Sequence, residues 1–508
     1  MRSYEGLRAY FGDLHSHCAV GYGHGSLEEA FANARQQLDF AAVTVHGHWP
    51  DMPDADERLA DLVDYHQKGF RVTRATWPRV QEIVEENHHP GHFIPFLAFE
   101  WHSSRYGDHN VYFKGGRGEV LPAPDLEALR RKLRSLEEDG VEAMLIPHHI
   151  GYKQGYRGIN WESFSPEFSP VAEIMSMHGC AESPDAPYPY LHTMGPRDGR
   201  STYQHGFAQG HLVGAVGSTD HHSAHPGSHG HGRMGVWSEE LTRDAIWKAI
   251  QARRTYALTG DNIAVQFAIN GKRMGAVCPP AEERRIVVFV EGGSTLDYVE
   301  VLHNNRILKR VSPFDKQADR GVDPFYGPIK IELEMGWSEK GVDVDWEGEL
   351  EVAGGELLGV EPRFKGRDVV APRAEEDGDY AFSRWGWERN AIWFQTRTWG
   401  NPTTATRGTQ ALSMTVQGAA STQLQGTLNG TPVRVSLGEL LEGPRAGYLG
   451  GFLTPAYAFH RAVTRREYAL DFDLEHRSEG ERRDWYYLRV RQRNGQWAWT
   501  SPIWVEGE

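Results

Sequence analysis

Apolar and polar positions divide the chain near residue 260. Before that point, apolar runs of strand length alternate with segments of helical period. "AYFGDLH" reads as a strand. "SLEEAFANARQQL" reads as a helix, with Leu27, Ala30, Phe31, Ala34 and Leu38 on one face. Ser26 and Glu29 stand at the spacing of a capping box. "FAAVTVH" follows as a buried strand, and "FIPFLAFE" and "AMLIPH" are further strand-length runs. Between those two, Leu126, Leu129, Leu133 and Leu136 predict a helix over 125–139, stopped by Gly140. "PVAEIMSMH" and "HLVGAVGSTDHH" complete the series. Strands alternating with helices predict a parallel sheet with crossover helices. With roughly seven strands readable, the α/β architecture expected over residues 1–260 is a barrel rather than an open sheet.

From Asp261 the period changes to two. "NIAVQFAING", "RRIVVFVEG", "DYVEVLHNNRILKRV" and "AIWFQTRTW" are β patterns separated by turn residues. The final "WYYLRVRQRNGQWAWTSPIWV" reads as two strands around Asn494-Gly495, a dipeptide suited to a hairpin. Residues 261–508 therefore predict a β-sandwich-like domain. Its stretch from about 313 to 389 is rich in Asp, Glu and Gly with weak periodicity, and reads as a long insertion.

Composition narrows the function. A net charge of -15 speaks against nucleic acid and against an anionic membrane surface. No apolar run is long enough to span a bilayer. Met1–Tyr10 has no apolar signal core, so a cytoplasmic protein acting on a small molecule is expected. A homo-oligomer stays open. Cys18, Cys180 and Cys278 are too few and too scattered for a disulfide framework. The unusual number is 25 His, of which only His303, His460 and His476 lie beyond His231. The histidine chemistry belongs to the first half.

Those histidines fall at strand ends. His15 and His17 follow the first strand, and His46 follows "AAVTV". Glu100 ends "IPFLAFE", His148 ends "AMLIP", and Asp220 and His222 follow "LVGAVGST". In a parallel barrel the carboxyl ends of the strands open on one face, so these residues would converge. Residues i and i+2 of extended chain point the same way, which lets His15 and His17, and Asp220 and His222, face one centre. The set is imidazole and carboxylate, suited to Zn, Mn or Fe. His24 sits in a Gly-flanked loop at the same mouth, and His109 begins a strand soon after Glu100. A buried carboxylate at the end of an apolar strand is costly unless it is paired or metal-bound.

"DLHSH", the His after the second strand, the strand-ending Glu, "PHH" and "STDHH" resemble the PHP (polymerase and histidinol phosphatase) superfamily. "RRTYALTGDNI" at 253–263 and "AWTSPIWV" at 498–505 more narrowly resemble its DUF3604 family. The resemblance implies a distorted seven-stranded, TIM-like (β/α)7 barrel with two or three divalent metal ions. Position by position it implies the ligands His15, His17, His24, His46, Glu100, His109, His148, Asp220 and His222. Two places depart from the pattern: Thr44-Val45-His46 has Val where the family has Asp, and His148-His149 stands where His-Pro is usual.

The expected activity is a metal-dependent hydrolase. Clustered ions lower the pKa of a bridging water, which attacks phosphorus in a mono- or diester. The same machinery acting on an ester, lactone or amide carbon is the alternative. His178 or His149 is the candidate proton donor to the leaving group, and Arg105 and Arg157 are candidates for holding an anionic group. A third reading is a binding protein whose Trp485, Trp497, Trp499 and Trp504 grip a glycan. Other histidines read as structural or solvated. His221 should point away from the centre, His88, His89 and His92 lie at the far end of the third strand, and His225, His229 and His231 read as flexible surface. His48 competes with His46, and Cys18 reads as core.

Overall fold

The computed structural model describes residues 1–191, 194–315, 323–369, 378–400, 408–478 and 483–506. Five strands follow one another in one sheet: β1 (Arg8–Asp13), β2 (Phe40–His48), β3 (Ile94–Trp101), β4 (His109–Phe113) and β5 (Ala143–Pro147). β1, β2 and β3 pair parallel, whereas β4 runs antiparallel to both β3 and β5. β6 (Val171–Ser176), β7 (Gly179–Cys180) and β8 (Gly214–Gly217) form a separate small sheet, with β6 and β8 parallel. β9 (Arg233–Ser238) and β10 (Thr255–Leu258) extend the large sheet beyond β1 in antiparallel fashion. The chain is a mixed α/β protein dominated by strands.

The closed, all-parallel barrel expected from the sequence is not what the hydrogen bonds describe. Among the described residues the ladder does not close, and β4, β9 and β10 break the parallel order. For β4 the reason is local. The 102–108 connection is too short for a crossover helix, which needs about a dozen residues, so the chain turns back.

α1 (Leu27–Gln37) starts at the expected capping box: Ser26 accepts from the Glu29 N–H, and the Glu29 carboxylate accepts from the Ser26 N–H. α2 (Ala60–Glu86) packs through Val63, His66, Phe70, Thr73, Trp77, Val80 and Val84, at helical three- and four-residue steps. Apolar pattern alone does not declare it, because His66 and Thr73 interrupt the stripe and Pro78 lies inside the helix. α3 (Leu126–Glu138) follows its N-cap Asp125 and matches the expected helix.

Alternation along the strands decides what faces what. Phe40 and Ala42, then Ile94, Phe96 and Ala98, then Tyr112, Met144 and Ile146 share one core with Leu14, Val171 and Val216. The intervening residues, Val43, Val45, Phe99, Val111 and Leu145 among them, pack against the helices, with Cys18. Two-residue steps from the inner core lead to His46, Glu100 and His148.

In the second half, strands within 264–303 and 469–506 enclose one core that includes Phe267, Val288, Val299 and Leu488. The strands on either side of Asn494-Gly495 pair as the expected hairpin. Trp497–Thr500 pairs with β10, so this half continues the sheet of the first. The described residues of 313–389 carry regular strands despite the weak periodicity of the sequence. They hold strands Ile329–Gly336, Asp343–Arg363 and Arg384–Glu388 of a nine-stranded sheet that reaches Thr464 and has its own core. In Asp343–Arg363, buried Trp346, Leu350 and Val352 alternate with exposed Glu347, Glu349 and Glu351. The acidic residues mask a period of two. Trp497, Trp499 and Trp504 are buried with Tyr203 and Phe207 of the first half, and Trp485 packs against them. Those rings join the two halves and do not form an open glycan platform. Among the described residues no helix is long and apolar enough to cross a membrane.

Candidate metal centre

The centre is laced together by backbone first. Asp220 N–H donates to His15 O at 2.7 Å, His17 N–H to His221 O at 2.8 Å, and Ala224 N–H to His17 O at 3.1 Å. The "HSH" and "TDHH" segments therefore run side by side. Asp13, fully buried at the end of β1, ties them. Its carboxylate accepts from the backbone N–H groups of His15, Thr219 and Gly227 at 2.8–3.0 Å and from Thr219 Oγ1 at 2.5 Å. Asp220 and Ala224 hold positive φ angles of 54° and 48°, and His149 holds 30°. Such conformations are costly for non-glycine residues and concentrate at functional sites.

Seven of the nine expected ligands converge. His15 Nε2 and His17 Nε2 lie 3.1 Å apart, and Asp220 Oδ1 is 3.3 Å and 3.1 Å from them. Glu100 Oε2 is 3.5 Å from His17 Nε2 and 3.4 Å from His46 Nε2. Glu100 Oε1 is 2.9 Å from His148 Nε2. The His222 ring lies 4.3 Å from that of His17, centroid to centroid. His17, His46 and His222 form one potential ligand group, and His15, His17 and Asp220 another. All seven are at least nine-tenths buried.

The other two stand differently. His109 pairs with Trp101 across β3 and β4, while Asn110 pairs with Glu100, so His109 lies on the opposite face of the sheet from Glu100. Its Nδ1–H donates to Gly107 O at 2.8 Å. His24 is buried with its ring 6.1 Å from that of Tyr380, and its backbone N–H donates to His222 O. His48 follows a register shift at the end of β2 and pairs with Trp101, which leaves His46 with Glu100.

Of the candidate catalytic groups, His178 places Nε2 2.8 Å from Asp220 Oδ2 and Nδ1 2.7 Å from the Tyr152 hydroxyl. His149 Nε2 is 3.3 Å from Asp108 Oδ2. Arg157 reaches the same carboxylate, with Nε 2.7 Å from Asp108 Oδ2. Arg105 is exposed on the rim, its side chain over the Tyr106 ring. His221 does point away, toward His231 and His225. His225 is buried and His229 pairs with Asp261 at 2.8 Å, so neither is the flexible surface expected of it.

Asp108 and Glu173 escaped the sequence reading, and His102, which it placed around the mouth, was not among the expected ligands. His102 Nδ1 lies 3.1 Å from Glu100 Oε1 and 3.2 Å from Asp108 Oδ2. Glu173 Oε2 accepts from His15 Nδ1–H at 2.8 Å. That bond fixes the tautomer and leaves the His15 Nε2 lone pair facing the centre. Glu173 carried a signal: it is a carboxylate inside the apolar run "VAEIMS", costly to bury alone. His102 stands two residues beyond Glu100, at the same parity.

Burial holds His15, His46 and His148 well below the usual imidazole range, and lowers His222 to about 3 and His102 to about 4. Neutral imidazoles are the form that binds metal. Burial opposes ionisation of Asp220, but His15, His17 and His178 outweigh it and hold the carboxyl low. Glu100 is pushed up by burial and by Asp108 beside it, a situation that a divalent cation inverts. Ligands about 2.0–2.2 Å from one ion stand about 3–3.5 Å from one another, the spacing these donors show. The residues fit a divalent metal.

The family model described as "Protein of unknown function (DUF3604)" matches residues 25–162 and 218–274. The chain resembles the DUF3604 family. The DUF3604 match takes in Glu100, His148, Asp220 and His222, and it leaves out the inserted sheet. An uncharacterized protein of Chlamydia pneumoniae is 26% identical over 266 residues, covering 49% of this chain and 42% of that protein. One from Chlamydia trachomatis serovar D is 26% identical over 189 residues, 34% of this chain and 30% of that protein. The chain thus spans less than half the length of these relatives. A solved two-domain protein "containing predicted PHP-like metal-dependent phosphoesterase" from Bacteroides vulgatus is 12% identical, with a TM-score of 0.30 over 85% of this chain and 95% of that one.

Proposed function

We propose that the protein is a metal-dependent hydrolase acting on a phosphoester of a small molecule. One observation carries this reading: two buried carboxylates, Glu100 and Asp220, stand among imidazole nitrogens at ligand spacing. His15, His17, His46, His148, His222, Glu100 and Asp220 would hold the ions. Bound there, Zn, Mn or Fe ions supply a nucleophilic water at neutral pH and charge neutralisation at the electrophile. The protein's own part is positional. Glu173 holds the His15 ring through its Nδ1–H, and Asp13 holds the two backbone segments that present His15 and Asp220. His178, between Tyr152 and Asp220, carries the proton that a leaving-group oxygen needs. The choice of phosphorus over carbon rests on the resemblance.

The test is initial rates on p-nitrophenyl phosphate, its bis ester and p-nitrophenyl acetate. Chelator-stripped protein is compared with and without Mn, Zn or Fe, alongside His17→Ala. Metal-dependent phosphoester turnover that is lost in His17→Ala is expected. Acetate turnover alone would replace phosphoester hydrolysis with carbon-centre hydrolysis.

A further inference from the structure

We infer that Arg157 is a built-in cation occupying a metal subsite made by Glu100, His102, Asp108 and His149, and that it limits how many ions the centre holds. The inference rests on the reading of the centre as a metal site.

The subsite has the donors of the rest of the centre. Glu100, Asp108, His148 and His149 form one potential ligand group, and His46, Glu100 and His102 form another. Asp108 is fully buried, and its Oδ2 faces His149 Nε2 at 3.3 Å and His102 Nδ1 at 3.2 Å. In the midst of these atoms sits the Arg157 guanidinium. Its Nη2 contacts Asp108 Oδ2 and lies 2.8 Å from His102 Nδ1 and 3.7 Å from Glu100 Oε1.

His102 shows that this arrangement suits a cation better than a hydrogen-bond network. Its Nδ1 faces two carboxylate oxygens and a guanidinium N–H at once. A ring nitrogen has one lone pair or one proton and cannot serve all three. If Nδ1 accepts from Arg157, the proton goes to Nε2, which is buried without a partner. A divalent ion in the guanidinium's place would take the Nδ1 lone pair and both carboxylates together.

Arg157 is held where it is. Its backbone has φ 70°, its N–H donates to Ser104 O at 3.2 Å, and its guanidinium carbon lies 5.0 Å from the Trp49 ring centroid. A cation–π contact of this kind holds a partly buried arginine in one orientation. Removing the guanidinium exposes an anionic pocket with nitrogen and oxygen donors already placed.

The experiment counts ions. Full-length protein is stripped with chelator, reloaded with excess Mn, and analysed for metal per chain by mass spectrometry. Arg157→Met, which keeps an unbranched side chain without the charge, and Arg157→Ala should each bind one ion more than wild type. Arg157→Lys should match wild type, and Arg157→Met combined with Asp108→Asn should lose the extra ion. Equal or lower metal content in folded Arg157→Met overturns the inference. As a check that needs no variant, a Mn anomalous peak between Asp108 and His149 in wild-type crystals, with Arg157 displaced, also overturns it. Wild type holding no ion would sink the metal-centre reading itself. Wild type holding two or three with no gain in the variants would sink only the role of Arg157.

Discussion

Two buried polar clusters in this molecule use the same kinds of side chain to opposite ends. At the junction of the halves, Glu182 accepts from Arg489 Nε and Nη2, the Tyr487 hydroxyl and Trp499 Nε1, all within 3.2 Å. Arg489 Nη1 goes on to Glu300, which also takes Arg310. Donors and acceptors there match. At the metal centre they do not. Carboxylates and several imidazole nitrogens crowd one another at 3.3–3.5 Å, and His17 Nδ1, His46 Nδ1, His148 Nδ1 and His149 Nδ1 are buried without a partner. A satisfied network fixes a fold. A surplus of acceptors around a common point makes a place for a cation.

That contrast can be broken or sharpened by experiment. The largest effect is expected from Asp220→Ala, which removes the carboxylate shared by His15, His17 and His178. Metal-dependent turnover should fall by more than the about 10–100-fold typical of supporting residues, and metal per chain should drop. Retained metal and rate would place the chemistry elsewhere. Next comes Glu182→Ala, which leaves Arg489 with Glu300 as its remaining carboxylate and strips the acceptor from Tyr487 and Trp499; it should cost about 3 kcal/mol in urea unfolding, with metal content unchanged. A loss of metal there would mean the two clusters are one system. Glu173→Gln keeps the shape but weakens the hold on His15. Metal affinity should fall about 10–100-fold, read by competition with a chromophoric chelator.

The smallest effect is on pH dependence. In metal-free protein, burial lowers His222 to about 3 and His102 and His229 to about 4, against about 6.5 in the unfolded chain. The unfolded chain therefore binds more protons below about 6.5. Stability is full above that pH and is lost as pH falls toward 4 and then 3. Calorimetry of the chelator-stripped protein should show Tm falling between pH 6.5 and 4, and a flat Tm would show that these rings are not held neutral.

Much of the centre was legible because strand parity carries it. Phe40, Ala42 and then His46 lie on the inner face, as do Phe96, Ala98 and then Glu100, so a reader of alternation arrives at the candidate ligands. The same rule gives Met144, Ile146 and His148. What parity could not reach sits where backbone leaves the strand. Asp108 lies in the β3–β4 turn, and Arg157 comes from a loop with positive φ. His109 misled because it begins a strand near Glu100 yet faces the other way. The fold was legible in its elements and less so in its connections: the direction of β4 follows from the length of one loop. The inserted sheet was hidden by the acidic half of a two-residue period.

The nine-stranded sheet enters the chain near Ile329 and leaves it near Thr464, and these two residues pair with each other across adjacent strands. Its two ends therefore meet. A module whose ends meet can be gained, lost or exchanged without moving the strands on either side, because a short turn bridges the same gap. The candidate metal centre draws none of its seven converging side chains from this module. A chain closed by a tight turn between 328 and 465 would keep all seven of those side chains, while giving up Tyr380 from the first-half core and the Arg363 partner of Asp261.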